Sequence, residues 1–294
     1  MDITLALGGG GTRGVAHVGV LRVLEREGFR VRAVAGTSIG SLVGALFALG
    51  KGAGELEALF TALDQSRLFG WPLSEGPGLL GLRGVADMLR IHLGDKTFED
   101  LPLPCAAVAV DLTSRREIIL REGSVLEAVL GSIAIPGLFP PREHNQYLLI
   151  DGGTLDPVPV RAARALAPGL PVLAVSLMSP LDAPSTPPAS PPSEPNPLAK
   201  QFFNRLNITQ AVRIFADAVD IGQRQMTELR LVVDAPEVIV RPAVADINLL
   251  DKVNIAEIVL RGERAMQAVL PDLFRVVSLP SRAVRQFKRL VQSG

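Results

Sequence analysis

Two glycine-bracketed segments hold the residues most able to do chemistry. In Gly36-Thr37-Ser38-Ile39-Gly40 a serine lies between glycines two positions to either side. That is the pattern of a sharp strand-to-helix turn that lifts a hydroxyl clear of the backbone. Side chains at either glycine would crowd such a bend. The second segment, Gly8-Gly9-Gly10-Gly11-Thr12-Arg13-Gly14, aligns backbone N–H groups at the start of a helix, where unpaired donors and the helix dipole favour negative charge. A P-loop needs Lys-Ser or Lys-Thr after its last glycine, whereas Gly14 is followed by Val15-Ala16. The spacing Gly9-x-Gly11-x-x-Gly14 fits a dinucleotide fingerprint, which would make the protein an oxidoreductase. Where that fingerprint expects an acid about 20 residues on, this chain reads Ala35-Gly36-Thr37-Ser38. The third reading is an oxyanion hole, whose donors wait for the charge that develops as a carbonyl becomes tetrahedral.

A serine hydroxyl is a weak nucleophile at neutral pH and needs a base. His17 reads as a satisfied helix histidine, His144 as part of a solvated Arg-Glu-His-Asn-Gln turn, and His92 as a helix residue without acidic or nucleophilic neighbours. No histidine follows Asp151, so the usual hydrolase order of Ser, acid and His is poorly served. A Ser-His-Asp triad is the lesser alternative. The better partner is Asp151 of Asp151-Gly152-Gly153, placed where a strand over 147–150 runs out. Asp-Gly is also a common turn dipeptide.

The elements that must position these residues alternate in type. An apolar strand over 3–7 leads through the glycines to a helix over 15–27; a buried strand over 31–35 leads through the turn 36–40 to a helix over 42–49. Strands follow over 105–110, 147–150 and 172–177, with a helix over 125–132. Such alternation predicts an α/β fold built on a largely parallel sheet. Residues 180–197 are rich in Pro, Ser and Ala and read as a loop or lid. Residues 198–230 carry helical spacing, and 238–241 with 246–250 read as a last strand and turn. The segment 281–292 sets Val284, Phe287 and Val291 on one face among Arg282, Arg285, Lys288 and Arg289. A basic amphipathic helix of this kind can lie on a membrane or pack on its own domain.

The chain has 294 residues, enough to bury a core without disulfides, and one large domain is the default. Its 30 basic and 30 acidic residues balance, which argues against the positive footprint that nucleic acid requires. The single Cys105 and three scattered histidines offer no zinc spacing. Asp2 and the absence of an early basic stretch leave no signal peptide evident, and no apolar run reaches the ~18 residues of a membrane span. The expectation is a cytoplasmic protein, with peripheral membrane contact as a possibility.

Three motifs in order, Gly-Gly-Gly-Thr-Arg-Gly at 9–14, Gly-Thr-Ser-Ile-Gly at 36–40 and Asp-Gly-Gly at 151–153, resemble the patatin-like phospholipase family. The connecting stretches 132–141, 153–160 and 238–250 resemble it too, so the similarity runs from about Ile3 to Leu270. The resemblance implies a three-layer α/β sandwich over residues 1–275, with 276–294 as a basic tail. It implies a Ser-Asp dyad without histidine, Ser38 as nucleophile and Asp151 as base, hydrolysing acyl esters of phospholipids or related lipids. The amides of Gly9, Gly10 and Gly11 would form the oxyanion hole. Thr12, Arg13, Gly14, Gly36, Gly40, Gly152 and Gly153 would complete the motifs, with Arg13 meeting a lipid phosphate or supporting the loop. It calls for no metal and no cofactor. The alternatives are a short-chain carboxylesterase without lipid preference and a non-catalytic lipid-binding relative.

Overall fold

Along the central strands, alternate residues point to opposite faces, and both faces are apolar, so helices must cover both sides. The computed structural model describes residues 1–65, 80–181 and 208–278, with 208–217 described as backbone only. Most of the Pro-rich stretch, from residue 182 on, and the basic segment 281–292 lie outside the described residues.

The order is β1 (Asp2–Leu7), a 3-10 turn (Gly11–Val15), α1 (Ala16–Arg26), β2 (Arg30–Thr37), α2 (Ile39–Ala48), α3 (Ala53–Ala62), α4 (Arg83–Leu93), β3 (Cys105–Asp111), β4 (Arg116–Leu120), α5 (Val125–Ser132), β5 (Arg142–His144), β6 (Tyr147–Asp151), α6 (Val160–Leu166), β7 (Val172–Val175), α7 (Ile208–Asp234), β8 (Val238–Val240) and α8 (Ile255–Val277). Eight strands form one sheet, in which β5 pairs with β6, β6 and β2 with β3, β2 with β1, β1 with β7, β7 with β8, and β4 with β3. Strands β3, β2, β1, β7 and β8 are mutually parallel. The excursion β4, β5 and β6 pairs antiparallel.

Alternation sorts the core into two. Ile3, Leu5, Leu7, Val34, Ala107, Leu173 and Val175 face a large cluster with α1, α2, α5 and α8. Ala6, Ala35, Ala106, Val108 and Ala174 face a smaller one with Val160, Ala162, Ala163 and Leu231. The run of alanines on that second face lets α6 lie close to the sheet. The result is a three-layer sandwich with a largely parallel central sheet.

Several elements differ from the sequence reading. Strand β2 runs on through Gly36 and Thr37, which pair with Ala107 and Val108, so the strand reaches to the serine itself. His144 lies on the short strand β5 instead of in an open turn, because 145–146 close a hairpin onto β6. Strand β4, the helices α3 and α6 and the 23-residue α8 were not anticipated from the sequence.

The pairing of β3 brings the site together. Ala107 and Val108 have β2 on one edge and β4 on the other, while Ala109, Val110 and Asp111 have β6 and β4. Strands β2 and β6 therefore share one edge of β3, approaching head-on from opposite directions. Thr37 stands opposite Val108 and Asp151 opposite Ala109. The residue after β2 and the last residue of β6 must then meet.

Candidate active site

They meet at hydrogen-bonding distance. Ser38 Oγ donates to Asp151 Oδ2 at 2.5 Å, with both residues buried. Ser38 holds φ 54 and ψ −127 as the cap of α2, a conformation that a non-glycine residue adopts only where its surroundings impose it. The surroundings here do so. A Cβ on Gly36 would collide with the Gly40 carbonyl, and one on Gly40 with the Leu7 carbonyl at the end of β1. The Ser38 N–H donates to Ser132 Oγ at 2.9 Å, and that hydroxyl donates to the Val108 carbonyl at 2.6 Å. Ser41 Oγ donates to the Ser38 carbonyl at 2.6 Å. Thr37 Oγ1 donates to the Asp156 carbonyl at 2.8 Å.

Asp151 is fixed equally firmly. Its Oδ1 accepts from the Gly153 N–H at 2.7 Å, and its own N–H donates to the Ala134 carbonyl at 2.8 Å. A side chain on Gly152 would strike the Val108 carbonyl. Burial pushes the carboxyl up to about 6, against the lowering influence of the Ser38 and Gly153 hydrogen bonds.

The glycine loop lies against the serine, for a Cβ on Gly9 would come within 3.2 Å of Ser38 Cβ. The Gly9 N–H is already committed to the Pro157 carbonyl at 3.0 Å, which removes it from the expected trio of oxyanion donors. The N–H groups of Gly10 and Gly11 have no acceptor among the described residues. Gly14 faces the Ile39 side chain, with no room for a side chain of its own. Arg13 turns inward: Nε donates to the Ile247 carbonyl at 2.7 Å, and the guanidinium lies 3.6 Å from Asp220. These contacts tie the glycine loop to the segment before α8 and to α7. Thr12 bonds the same segment before α8, its N–H donating to the Leu249 carbonyl at 2.9 Å and its hydroxyl to the Asn248 carbonyl at 3.1 Å.

No histidine joins the pair. His17 is buried, and its Nε2 donates to the Gly8 carbonyl at 2.8 Å. Burial lowers it to about 4, so the ring is neutral and props the loop. Neither His92 nor His144 bonds Ser38 or Asp151. Ser132, Asp156 and Arg230 are the residues that the sequence did not single out. Ser132 begins the 132–141 stretch, but nothing local marks its hydroxyl as the prop of the elbow.

Beside Ser38 opens a cavity of about 110 Å³. Thr12, Ser38 and Gln65 are its polar side chains; the others, from Val15 and Leu42 through Phe60, Met88 and Phe139 to Leu250, are apolar. Such a wall suits a hydrocarbon chain and repels a charged group. A hydroxyl bonded to a buried carboxylate, with free amides near by and an apolar slot alongside, has the parts for acyl transfer.

A family model described as "Patatin-like phospholipase" matches residues 5–164. The chain belongs to the patatin-like phospholipase family. It is 34% identical over 206 residues to an "Uncharacterized NTE family protein" of Mycobacterium tuberculosis, covering 69% of this chain and 55% of that protein. It is also 34% identical over 176 residues to mouse (Mus musculus) patatin-like phospholipase domain-containing protein 6, covering 56% of this chain and 13% of that protein. The chain thus spans about half the length of the mycobacterial relative. Among solved structures, VipD from Legionella pneumophila superposes with a TM-score of 0.50 at 13% identity, over 92% of this chain and 66% of that one, a likeness of fold. Both glycine segments and the Asp151 motif fall within the region matched to the patatin-like family.

Proposed function

We propose that this patatin-like protein is a lipolytic acyl hydrolase working through a Ser38-Asp151 dyad. The observation that carries the reading is the 2.5 Å bond between two buried side chains, with no histidine bonded to either. As Ser38 Oγ forms its bond to the ester carbonyl carbon, its proton passes to Asp151 Oδ2. The carbonyl oxygen takes the negative charge and is received by the Gly10 and Gly11 amides. Collapse breaks the bond to the alcohol oxygen, which leaves with the proton held on Asp151. Acyl-Ser38 remains. Water then gives a proton to the same carboxylate as its oxygen attacks, and the fatty acid departs as Ser38 is reprotonated.

A carboxylate is a weak base for a serine hydroxyl, so burial and positioning must supply most of the acceleration. Raising Asp151 to about 6 narrows the mismatch while leaving it ionised at neutral pH. The apolar slot supports a fatty-acyl chain on the acid side of the ester. Hydrolysis of p-nitrophenyl esters and of a panel of phospholipids and lysophospholipids in vesicles tests the reading. Wild type is expected to cleave both kinds, and Ser38→Ala and Asp151→Asn neither. Full activity in either folded variant overturns the dyad. Cleavage of soluble esters alone removes the lipid substrate and leaves the ester chemistry.

A further inference from the structure

The residues joining β8 to α8 form one wall of the cavity, through Leu249, Leu250 and Val253. The early half of this wall is tied to the glycine loop: Ile247 by Arg13, Asn248 and Leu249 by Thr12. The later half is held from across the cavity by Gln65, which follows α3. Gln65 Nε2 donates to the Val253 carbonyl at 3.0 Å, and the Val253 N–H donates to Gln65 Oε1 at 3.0 Å. A side-chain amide here completes both backbone groups of one residue, as a neighbouring strand would. The same two bonds occupy the polar atoms of Gln65 and so keep the slot apolar.

We propose that Gln65 is a positioning residue that sets acyl-chain selectivity. Its clasp on Val253 holds the 249–253 wall against the chain, and the bonds of that wall to Thr12 and Arg13 carry the fit of the chain to the amides of Gly10 and Gly11. A chain too short to reach the wall gains nothing from the clasp. One that presses on Leu250 and Val253 is gripped and at the same time steadies the loop that receives the oxyanion. The inference rests on the acyl-hydrolase reading for its effect on turnover, but not for its effect on binding.

The test compares wild type, Gln65→Leu and Gln65→Glu on p-nitrophenyl acetate, butyrate, octanoate and dodecanoate. In wild type, kcat/KM should climb by up to about fourfold per added methylene until the slot is full. In Gln65→Leu the octanoate-to-acetate ratio should fall about tenfold, because two backbone groups lose their partners and the wall slackens. Part of the loss should appear in kcat as well as KM, since the wall also steadies the oxyanion loop. Gln65→Glu keeps the acceptor for the Val253 N–H but sets a second oxygen against the Val253 carbonyl and a charge beside the slot, so it should not restore the ratio. A parallel measurement, displacement of a fluorescent fatty acid by dodecanoate, uses Ser38→Ala with and without Gln65→Leu, and the second change should weaken binding about tenfold. An unchanged chain-length ratio in folded Gln65→Leu, or an equal loss on acetate and octanoate, overturns the proposal. Fatty-acid binding that depends on Gln65 in a protein that cleaves no ester would retain the clasp and remove the hydrolase reading. Ester cleavage with binding indifferent to Gln65 would remove the clasp alone.

Discussion

Ser38, at φ 54, is held in a conformation that its own chemistry disfavours, and four hydrogen bonds through its amide, carbonyl and hydroxyl and through the hydroxyl of Ser132 keep it there. Ser132→Ala removes the acceptor for the Ser38 N–H, and leaving that buried donor unpaired should lower stability by about 1–3 kcal/mol and slow turnover; chemical denaturation and steady-state kinetics check the two parts. Asp151 makes two pH predictions. In the proposed dyad it must be ionised to accept the proton, so kcat/KM on an ester should fall below pH 6, with an acid limb near the value of about 6 to which burial raises it. The sign for stability is opposite. A carboxyl whose folded value lies above its unfolded one binds more protons in the folded state, so its contribution declines as pH rises from about 4 through 6, by roughly 3 kcal/mol at full ionisation. Asp151→Asn lacks this decline, and its melting temperature relative to wild type should climb across that window in a pH series of thermal melts.

Elements show what was legible in the sequence and what was not. Strands β1, β2, β3 and β7 announced themselves as short apolar runs between glycines and polar turns, and the bend at 36–40 by glycines that the packing requires. Strand β4 was obscured because Arg116, Glu117 and its neighbours lack the apolar alternation of a half-buried strand. The role of α8 was hidden because its partner is far away in sequence. Helices α1 and α8 cross where a Cβ on Gly19 would strike the Val259 carbonyl and one on Gly262 the Ala16 carbonyl. Backbones that close give neither side chain room, and Gly262→Ala should destabilise the protein by about 1–3 kcal/mol, read by urea denaturation, although alanine is the better helix former. The meeting of Ser38 with Asp151 was likewise legible only as an order of motifs. Which two strands share an edge of β3 is a pairing register, and no local pattern encodes it.

Across the whole molecule, Ser38 and Asp151, 113 positions apart in the chain, are joined by one hydrogen bond, and the layer behind the sheet supports them. Helix α7 sends Arg230 to the fully buried Asp156 at 2.8 Å, with Glu117 at 2.9 Å and Asp234 at 3.3 Å around the same guanidinium, and Arg161 lies 3.5 Å from Glu117. Asp156 and Pro157 present the carbonyls that bond Thr37 and Gly9, so the ion cluster anchors both the elbow and the glycine loop. Burial, helped by Glu117 and Asp234, pushes Asp156 up to about 7 despite the Arg230 guanidinium. Arg230→Met should therefore destabilise the protein by about 3 kcal/mol or more at pH 8, where the buried Asp156 must either carry its charge without a partner or take up a proton, and by less at pH 5, where it is already protonated. Thermal melts at the two pH values distinguish the cases. The dyad itself is tested most directly by fluorophosphonate labelling with peptide mapping, which reports the nucleophile and its activation together. The label should fall on Ser38 in wild type, form far more slowly in Asp151→Asn and be absent from Ser38→Ala. Labelling at another residue, or an undiminished rate on Ser38 in folded Asp151→Asn, would contradict a Ser38-Asp151 dyad.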